Sequence, residues 1–362
     1  ARLDPEKLEF LALLPLQNRI RENACDTFAY FAKQGVAVKV ISGDDPRAVS
    51  HVADQAGIVG AEQWVDAATL QSDAALARAA GRYTVFGRVT PEQKRKLVHA
   101  LQAQGHTVAM TGDGVNDVLA LKDADCGIAM ASGAQAASQV AQLVLLDSDF
   151  AALPDVVAEG RRVINNIQRS ASLFLVKNIF SLLLSLVTVC LPLAYPFQPL
   201  QLSLLSAVTI GLPSFFLALE PNYEVVRGKF LHNVLHAALP GGLTDFLLVF
   251  CAQGFALAFD LSGDALGTIS TLLVLETGLI VLFKVCCPFT AMRGALWSSC
   301  TVLGLGGAIV FSPWLELIPL NLGETLILVV LAALSLPVLS AVTRVVDRLW
   351  QDVRRLRRKH AA

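Results

Sequence analysis

The chain has 362 residues, of which 54% are hydrophobic and 16% are charged, against roughly 45–50% and 25% in an average soluble domain. This composition excludes a disordered, a collagen-like and a wholly soluble chain. The net charge of −1 conceals an asymmetry, because residues 1–160 carry 14 basic and 20 acidic side chains and residues 161–362 carry 15 and 10. An acidic soluble half gives no support for nucleic-acid binding.

Residues 1–155 alternate short apolar runs with helical patterns. Strands are predicted at 9–14, 36–41, 83–86, 106–110, 126–129 and 143–146, and helices at 17–34 and 91–104. Such alternation is typical of an α/β fold with a mostly parallel sheet covered on both faces. Ligands of these sheets collect at the carboxyl ends of strands. Two acidic loops follow predicted strands, at 42–45 and at 111–117.

Residues 156–345 contain six long apolar segments. They lie at 173–193, 200–219, 239–259, 266–285, 295–311 and 325–342. Each is close to the ~17–25 residues that a helix needs to cross the hydrocarbon core of a membrane. We therefore expect an all-α bundle of six membrane helices, followed by a basic tail at 346–362.

The basic residues between these segments fall on alternate loops. They are Arg161, Arg162, Arg169, Arg227, Lys229, Lys284, Arg293, Arg344, Arg348 and the run 354–359. The remaining loops, 192–199, 260–264 and 312–324, contain no lysine or arginine. Because basic loops stay in the cytoplasm, we expect a multi-pass membrane protein with both ends of this chain in the cytoplasm.

The strongest chemical signal is the loop at 111–117, which reads TGDGVND. Gly112 and Gly114 permit tight backbone turns that a side chain would block. Asp113 and Asp117 are four residues apart across that turn, so both carboxylates can face one hard cation. Mg²⁺ is typically held by one or two carboxylates together with waters and phosphate oxygens. The alternative interpretation is a surface turn without a ligand.

Two further residues are candidates for contacting a phosphoryl group. Lys94, at the start of the predicted helix 91–104, offers a positive charge for phosphoryl oxygens. Its alternative role is on a solvated helix face, because its neighbours are also charged. Ser42, which follows the strand 36–41, can donate a hydrogen bond to a phosphoryl oxygen or can cap the helix that begins near Pro46.

Together these motifs closely resemble the phosphorylation domain of the P-type cation-transporting ATPases. The resemblance rests on 42–45, 89–94, 111–117, 127–130, 144–147 and 159–167. It holds in order and spacing from about residue 8 to residue 222, and beyond that it depends on the six apolar segments, which match the family's fifth to tenth membrane helices. It implies a Rossmann-like domain of the haloacid-dehalogenase type over 1–155, followed by the six-helix membrane domain over 156–345.

In this family an aspartate takes the γ-phosphoryl group of ATP, and conformational changes couple its formation and hydrolysis to ion transport. The resemblance implies that Asp113 and Asp117 hold Mg²⁺, that Lys94 steadies the phosphoryl group and that Ser42 donates a hydrogen bond to it. The remaining loop positions that it implies are the catalytic Thr111 and Gly112 and the supporting Gly43, Asp44, Gly114 and Asn116. The expected function is part of an ATP-driven pump for a divalent cation such as calcium in the lipid of a bacterial plasma membrane.

The sequence also departs from the family pattern. The family's phospho-acceptor lies in an Asp-Lys-Thr-Gly motif, which does not occur among these 362 residues. The nucleotide-binding domain, the Thr-Gly-Glu loop and the first four membrane helices are absent too. We therefore expect the carboxyl-terminal part of a pump, with the amino-terminal part as its partner and with ATP bound mainly by a domain outside this chain. The internal substitute for a nucleophile is Asp147-Ser148-Asp149, and the alternative function is a non-catalytic remnant that binds ions or partners.

Polar residues inside the apolar segments are the candidates for an ion path. Asn178 and Ser181 are three apart in the first segment, and Ser206 and Thr209 are three apart in the second, so each pair shares a helix face. Pro213 lacks a backbone N–H and so frees the carbonyl of Thr209, an arrangement suited to coordinating a cation. The alternative role of such hydroxyls is packing between helices.

Glu276 lies near the middle of its segment, where an ionisable group is a functional candidate by default. Asp245, nearer the cytoplasmic end, and Lys177, which can neutralise a neighbouring charge, are secondary candidates. Compared with calcium and sodium–potassium pumps, Ser181 replaces a glutamate and Ile210 an aspartate. The transported ion therefore stays open between one divalent cation and another ion with proton counter-transport through Glu276.

Overall fold

The computed structural model describes Ala12 and residues 19–360, with side chains placed as far as Asp352. The predicted strand at 9–14, apart from Ala12, and the basic side chains at 354–359 lie outside this described part. The chain forms two compact units, Ala1–Val157 and Ala158–Ala362.

In the described part of the first unit, short parallel strands alternate with helices. The strands are β1 (Val40–Ile41), β2 (Trp64–Asp66), β3 (Val85–Gly87), β4 (Ala109–Gly112), β5 (Cys126–Met130) and β6 (Leu143–Leu145). The helices are α1 (Ala24–Lys33), α2 (Pro46–Gln55), α3 (Asp73–Arg82), α4 (Pro91–Ala103), α5 (Val118–Asp123) and α6 (Gln135–Val140). The strands form two parallel sheets, with the orders β1–β3–β2 and β4–β5–β6. This confirms the α/β fold with parallel sheets.

Several elements differ from the prediction. Strand β2 and helices α3, α5 and α6 are not among the predicted elements; β2 has only three residues and α3 is rich in alanine, so neither of these two carries a pronounced apolar pattern. Helix α1 begins at Ala24 instead of residue 17, and β4 spans Ala109–Gly112 instead of 106–110. Strand β1 is shorter than the predicted 36–41, because only Val40 and Ile41 pair with β3.

Helix α4 packs against both sheets. Its first turn is fixed by a capping box, in which Gln93 N donates to Thr90 Oγ1 (3.3 Å) and Thr90 N donates to Gln93 Oε1 (3.0 Å). Leu97 is buried in the core of the β1–β3–β2 sheet, and the next residue, Val98, is buried in the core of the β4–β5–β6 sheet. Burying such a side chain contributes about 1.5–3 kcal/mol. The start of α4, where Lys94 lies, is therefore held in place by contacts with both cores.

The second unit is helical throughout its regular structure. Its helices are α7 (Leu153–Cys190, which begins in the first unit), α8 (Pro199–Ser206), the π-helical segment Ala207–Gly211, α9 (Leu212–Ala218), α10 (Phe230–Phe259), α11 (Gly263–Cys286), α12 (Ala291–Val310) and α13 (Leu322–His360). Within residues 19–360, five helical stretches are long and apolar enough to cross a membrane. These are Phe150–Cys190, Pro199–Ala218, Phe230–Phe259, Gly263–Cys286 and Leu322–Asp352. They coincide with five of the six predicted segments.

The remaining predicted segment, 295–311, forms α12, which is long enough but less apolar than the other five. Arg293, Ser298, Ser299 and four glycines lower its mean hydropathy. Arg293 is buried and its Nε lies 2.7 Å from Glu220 Oε1, so α12 is held partly by a polar contact. Of the six predicted membrane helices, five are therefore long and apolar enough to cross a membrane.

Candidate functional site

The loop after β4 holds one carboxylate inside and exposes another. A short 3₁₀ turn, Val115–Asp117, leads into α5. The Asp117 residue is 7% exposed, and its Oδ2 accepts a hydrogen bond from Gly114 N at 3.3 Å. The side chain of Asp113 is exposed. The two carboxylates predicted to hold a cation therefore differ in their access to solvent.

The main chain of this loop is fixed by the connection between β5 and α6. The Asp113 carbonyl accepts a hydrogen bond from Ala134 N at 2.7 Å. A Cβ added to Gly133 would lie 2.4 Å from that same oxygen, so the glycine permits the close approach. The position of Asp113 is thus set by its backbone, and its side chain remains exposed.

Gly112 makes a similar approach, because a Cβ at this position would lie 2.6 Å from Asp117 Cβ. We expect Gly112→Ala to lower the free energy of unfolding by about 1–3 kcal/mol, the usual cost of overpacking. The measurement is denaturant unfolding of the detergent-purified chain. Gly43→Ala is the matched control, because a Cβ there meets nothing within 4 Å. Equal losses in the two variants would contradict the packing of Asp117 on Gly112.

Lys94 and Asp117 form the central ion pair of the site. Lys94 Nζ lies 2.6 Å from Asp117 Oδ1, and the two side chains are 13% and 10% exposed. Removing one partner of such a pair typically costs about 3–5 kcal/mol, because the other charge stays buried. The structure thus brings together a cation from α4 and a carboxylate from the β4–α5 loop. The resemblance implies that Asp117 holds Mg²⁺ and that Lys94 steadies the phosphoryl group.

Ser42 does not cap α2. That role belongs to Asp45, whose Oδ1 accepts a hydrogen bond from Arg47 N at 3.0 Å. Ser42 Oγ instead donates to Asp44 Oδ2 and accepts from Asp44 N, both at 3.2 Å. Among the described residues, no hydrogen bond links this loop to Lys94 or to the aspartates of 111–117.

Arg88, which the sequence analysis did not single out, connects the loop at 42–45 to β3. Its guanidinium lies 2.8 Å from Asp45 Oδ2 and 2.8 Å from Asp66 Oδ2, and its N–H donates to Asp44 O at 2.8 Å. Its φ of 53° is in the left-handed region, which is uncommon for a residue with a side chain. Its place two residues after the predicted strand 83–86 is the signal that points to it.

Helices α4 and α5 are tied together beside this pair. Asp123 accepts a hydrogen bond from Arg95 and contacts His99 Nε2 at 2.8 Å. The hydrogen bond from Arg95 holds the pKa of the Asp123 carboxyl below its ordinary value. This carboxylate therefore remains ionised at neutral pH, and its contacts hold α5 against α4, the helix that carries Lys94.

The donor set of the loop fits Mg²⁺. Within the described residues, no three histidine, cysteine or carboxylate side chains gather at one point. A metal ion here would therefore have at most two protein carboxylates, for which the sequence predicts Asp113 and Asp117, and Mg²⁺ usually completes such a set with waters and phosphate oxygens. Binding would compete with the hold of Lys94 on Asp117.

The second unit contains a small cavity of about 30 Å³ between α7, α8, the π-helical segment, α10 and α11. Its polar lining residues are Lys177, Ser206, Thr209 and Asp245. Lys177 Nζ donates to Ser206 Oγ at 2.5 Å, and Ser206 Oγ donates onward to Leu202 O at 2.6 Å. Asp245 is 2% exposed, and its Oδ1 has no hydrogen-bond partner among the described residues. A lysine and a buried carboxylate therefore share a space of roughly one or two waters.

The other membrane residues predicted for an ion path lie elsewhere. Asn178 is exposed, and the Ser181 hydroxyl lies 3.4 Å from the Tyr195 hydroxyl. Glu276 Oε1 accepts a hydrogen bond from Ser335 Oγ at 3.1 Å. None of the three predicted residues lines the cavity. Its charged residues are instead the two secondary candidates, because the rotation of each helix within the bundle is not encoded in spacing alone.

Comparison with known proteins gives a match to a protein family and matches to several cation-transporting ATPases. The haloacid dehalogenase-like hydrolase family matches residues 2–125. The calcium-transporting ATPase CtpE of Mycobacterium bovis is 44% identical over 323 residues, which are 85% of this chain and 40% of that protein. The probable cation-transporting ATPase exp7 of Streptococcus pneumoniae is 39% identical over 304 residues, 81% of this chain and 39% of that protein. The chain spans about two fifths of the length of these curated relatives.

The parallel sheets and the family match define the first unit as a haloacid dehalogenase-like domain. This domain is followed by several helices able to cross a membrane. Relatives of the chain are named as cation-transporting ATPases, and the chain is similar to the carboxyl-terminal part of the P-type cation-transporting ATPases. This confirms the resemblance seen in the sequence.

Proposed function

We propose that this chain is the part of an ATP-driven cation pump that holds the phosphoryl group and forms a section of the ion path. The observation that carries the proposal is the 2.6 Å ion pair between Lys94 and Asp117 beside the exposed Asp113. A cation and two carboxylates at the carboxyl end of a parallel strand suit the binding of a phosphoryl group with its metal ion.

In this proposal Asp113 and Asp117 hold Mg²⁺, which when bound offsets the negative charge of the phosphoryl oxygens. Lys94 places its ammonium against those oxygens once the cation competes for Asp117. Ser42 donates its hydroxyl hydrogen to the same group, for which it gives up Asp44 as an acceptor. Arg88 keeps the Ser42 loop in position through its contacts with Asp45 and Asp66.

The phospho-acceptor aspartate is proposed to come from a segment outside these residues. Strands β1 and β4, which end at the two acidic loops, are each at an edge of their sheet among the described strands. A strand that paired with these edges in parallel would end beside Ser42 and Asp113. The carboxyl end of that strand would therefore place a reacting residue between the two loops. On this basis ATP hydrolysis requires the complete protein.

The membrane part of the proposal concerns the ion and its path. The cavity with Lys177, Ser206, Thr209 and Asp245 is proposed as part of that path, because it holds a buried acceptor without a partner. A divalent cation such as calcium is proposed because the M. bovis relative is named as a calcium-transporting ATPase. The basic loops support cytoplasmic ends for this chain in a bacterial plasma membrane.

The test is transport by the complete protein in sealed vesicles. ATP hydrolysis and ATP-dependent uptake are measured against a panel of Ca²⁺, Mn²⁺, Zn²⁺, Na⁺ and K⁺ with Mg²⁺ present throughout. We expect one divalent cation to stimulate both activities. Hydrolysis that no cation stimulates would contradict the proposal and favour a membrane protein that binds ions without turnover.

A further inference from the structure

A second and larger cavity, of about 430 Å³, lies within the second unit between α7, α10, α11 and α13. Ligand pockets commonly enclose roughly 300–1,000 Å³. Asn233 and His236 line it from the first turns of α10, and Lys284 lines it from the last turn of α11. Both helices are candidate membrane spans. The cavity therefore lies at the ends of spans, at the level where lipid headgroups are found.

The polar wall of this cavity has free hydrogen-bond donors. Lys284 is exposed and forms no ion pair with any described residue. Gln168 also lines the cavity, and its Nε2 is buried without a hydrogen-bond partner among the described residues. These two groups come from different helices, α11 and α7. They leave an ammonium and an amide N–H available to an acceptor in the cavity.

The charge of the surroundings favours an anion. Arg169 lines the cavity, and its Nη1 lies 2.6 Å from Glu220 Oε2. Glu220 also contacts Arg293, through Nε at 2.7 Å and Nη2 at 2.9 Å, so two guanidinium groups share one carboxylate. Among the charged residues that line the cavity, Arg169 and Lys284 are basic and Glu224 is acidic, and His236 in the lining contacts Asp347 at 2.8 Å.

The lining also contains apolar residues, among them Val281, Val285 and Leu339. A cavity lined by both basic and apolar side chains matches an amphiphile better than a free ion. Basic pockets between membrane helices at the cytoplasmic side are suited to anionic headgroups. We propose that this cavity binds an anionic phospholipid, with its phosphodiester against Lys284 and Gln168 and the start of an acyl chain against the apolar lining residues.

The test is lipid binding by the delipidated complete protein, measured by native mass spectrometry with added phosphatidylglycerol or phosphatidylcholine. We expect preferential retention of phosphatidylglycerol. Lys284→Gln should weaken its binding by about tenfold, the loss of one charge-assisted hydrogen bond. Lys229→Gln is the matched control, since Lys229 precedes α10 at the same end and does not line the cavity, and it should bind as the unmodified protein does.

A second variant tests the cavity without changing its charge. Thr343→Trp places a large ring in the cavity from α13 and should also reduce phosphatidylglycerol retention. Equal binding of the two lipids, or unchanged binding in both Lys284→Gln and Thr343→Trp, would overturn the proposal. Displacement of the lipid by millimolar inorganic phosphate would overturn it as well, because it would indicate a free-anion site. The readout is binding, so its failure is distinct from a failure of pump activity.

Discussion

Asp113→Asn in the complete protein is expected to reduce cation-stimulated ATP hydrolysis by at least about a hundredfold, the scale of losing one charge-stabilising group. The carboxylate of Asp113 is exposed at the site, and asparagine is a weaker ligand for Mg²⁺. The fold should survive, because Asp113 is held by its carbonyl, which accepts from Ala134 N at 2.7 Å. The measurement is hydrolysis rate against Mg²⁺ concentration, alongside the unfolding midpoint.

Glu92→Gln is the control for this prediction. Glu92 is an exposed carboxylate in the first turn of α4 and contacts Lys96 at 3.2 Å, a surface pair that is worth little. Its variant should hydrolyse ATP within about twofold of the unmodified protein, because surface changes are usually small. If Asp113→Asn kept half of the activity, the assignment of this aspartate to the metal would be wrong.

Lys177→Met and Asp245→Asn are expected to be non-additive, with an interaction free energy of about 0.5–3 kcal/mol, because residues that share a cavity are coupled. The two residues line the same cavity of about 30 Å³, and Asp245 Oδ1 has no partner among the described residues. The double variant should therefore differ in its free energy of unfolding from the sum of the two single variants. Thermal unfolding of the detergent-purified chain gives the four midpoints of this cycle.

A control cycle combines Asp245→Asn with Lys229→Met instead of Lys177→Met. Lys229 lies before α10 and does not line the cavity. Lys229→Met and Asp245→Asn should add, because distant sites are independent. If the stability changes of Lys177→Met and Asp245→Asn were additive as well, the two side chains would not be coupled through the cavity.

The site in the first unit was predictable in part, because its residues lie in loops that follow strands. The pattern at 111–117 and the helix start at Lys94 are both local, and sheet geometry brings the carboxyl ends of parallel strands to one edge. The pairing of Lys94 with Asp117 needs contact between α4 and the β4–α5 loop. That contact depends on how the helix packs, which spacing does not give.

The helices of the second unit show more clearly what cannot be predicted from the sequence. Hydropathy locates segments well, but it does not fix the rotation of a helix about its axis. Asn178 is exposed while its neighbour Lys177 lines the cavity, so residue spacing does not tell which side of α7 faces this cavity. Likewise, Arg293 lowers the hydropathy of α12, and its contact with Glu220 is visible only in three dimensions.

The burial of Leu97 and Val98 in different cores has a mechanical consequence for the ammonium of Lys94. Adjacent side chains on α4 are anchored to the two sheets, and Lys94 lies one turn before them. A displacement of either sheet must therefore pull on the helix and shift the ammonium relative to the β4–α5 loop. Because α4 packs against both sheets, a movement of either sheet is expected to change the position of the Lys94 ammonium relative to Asp117.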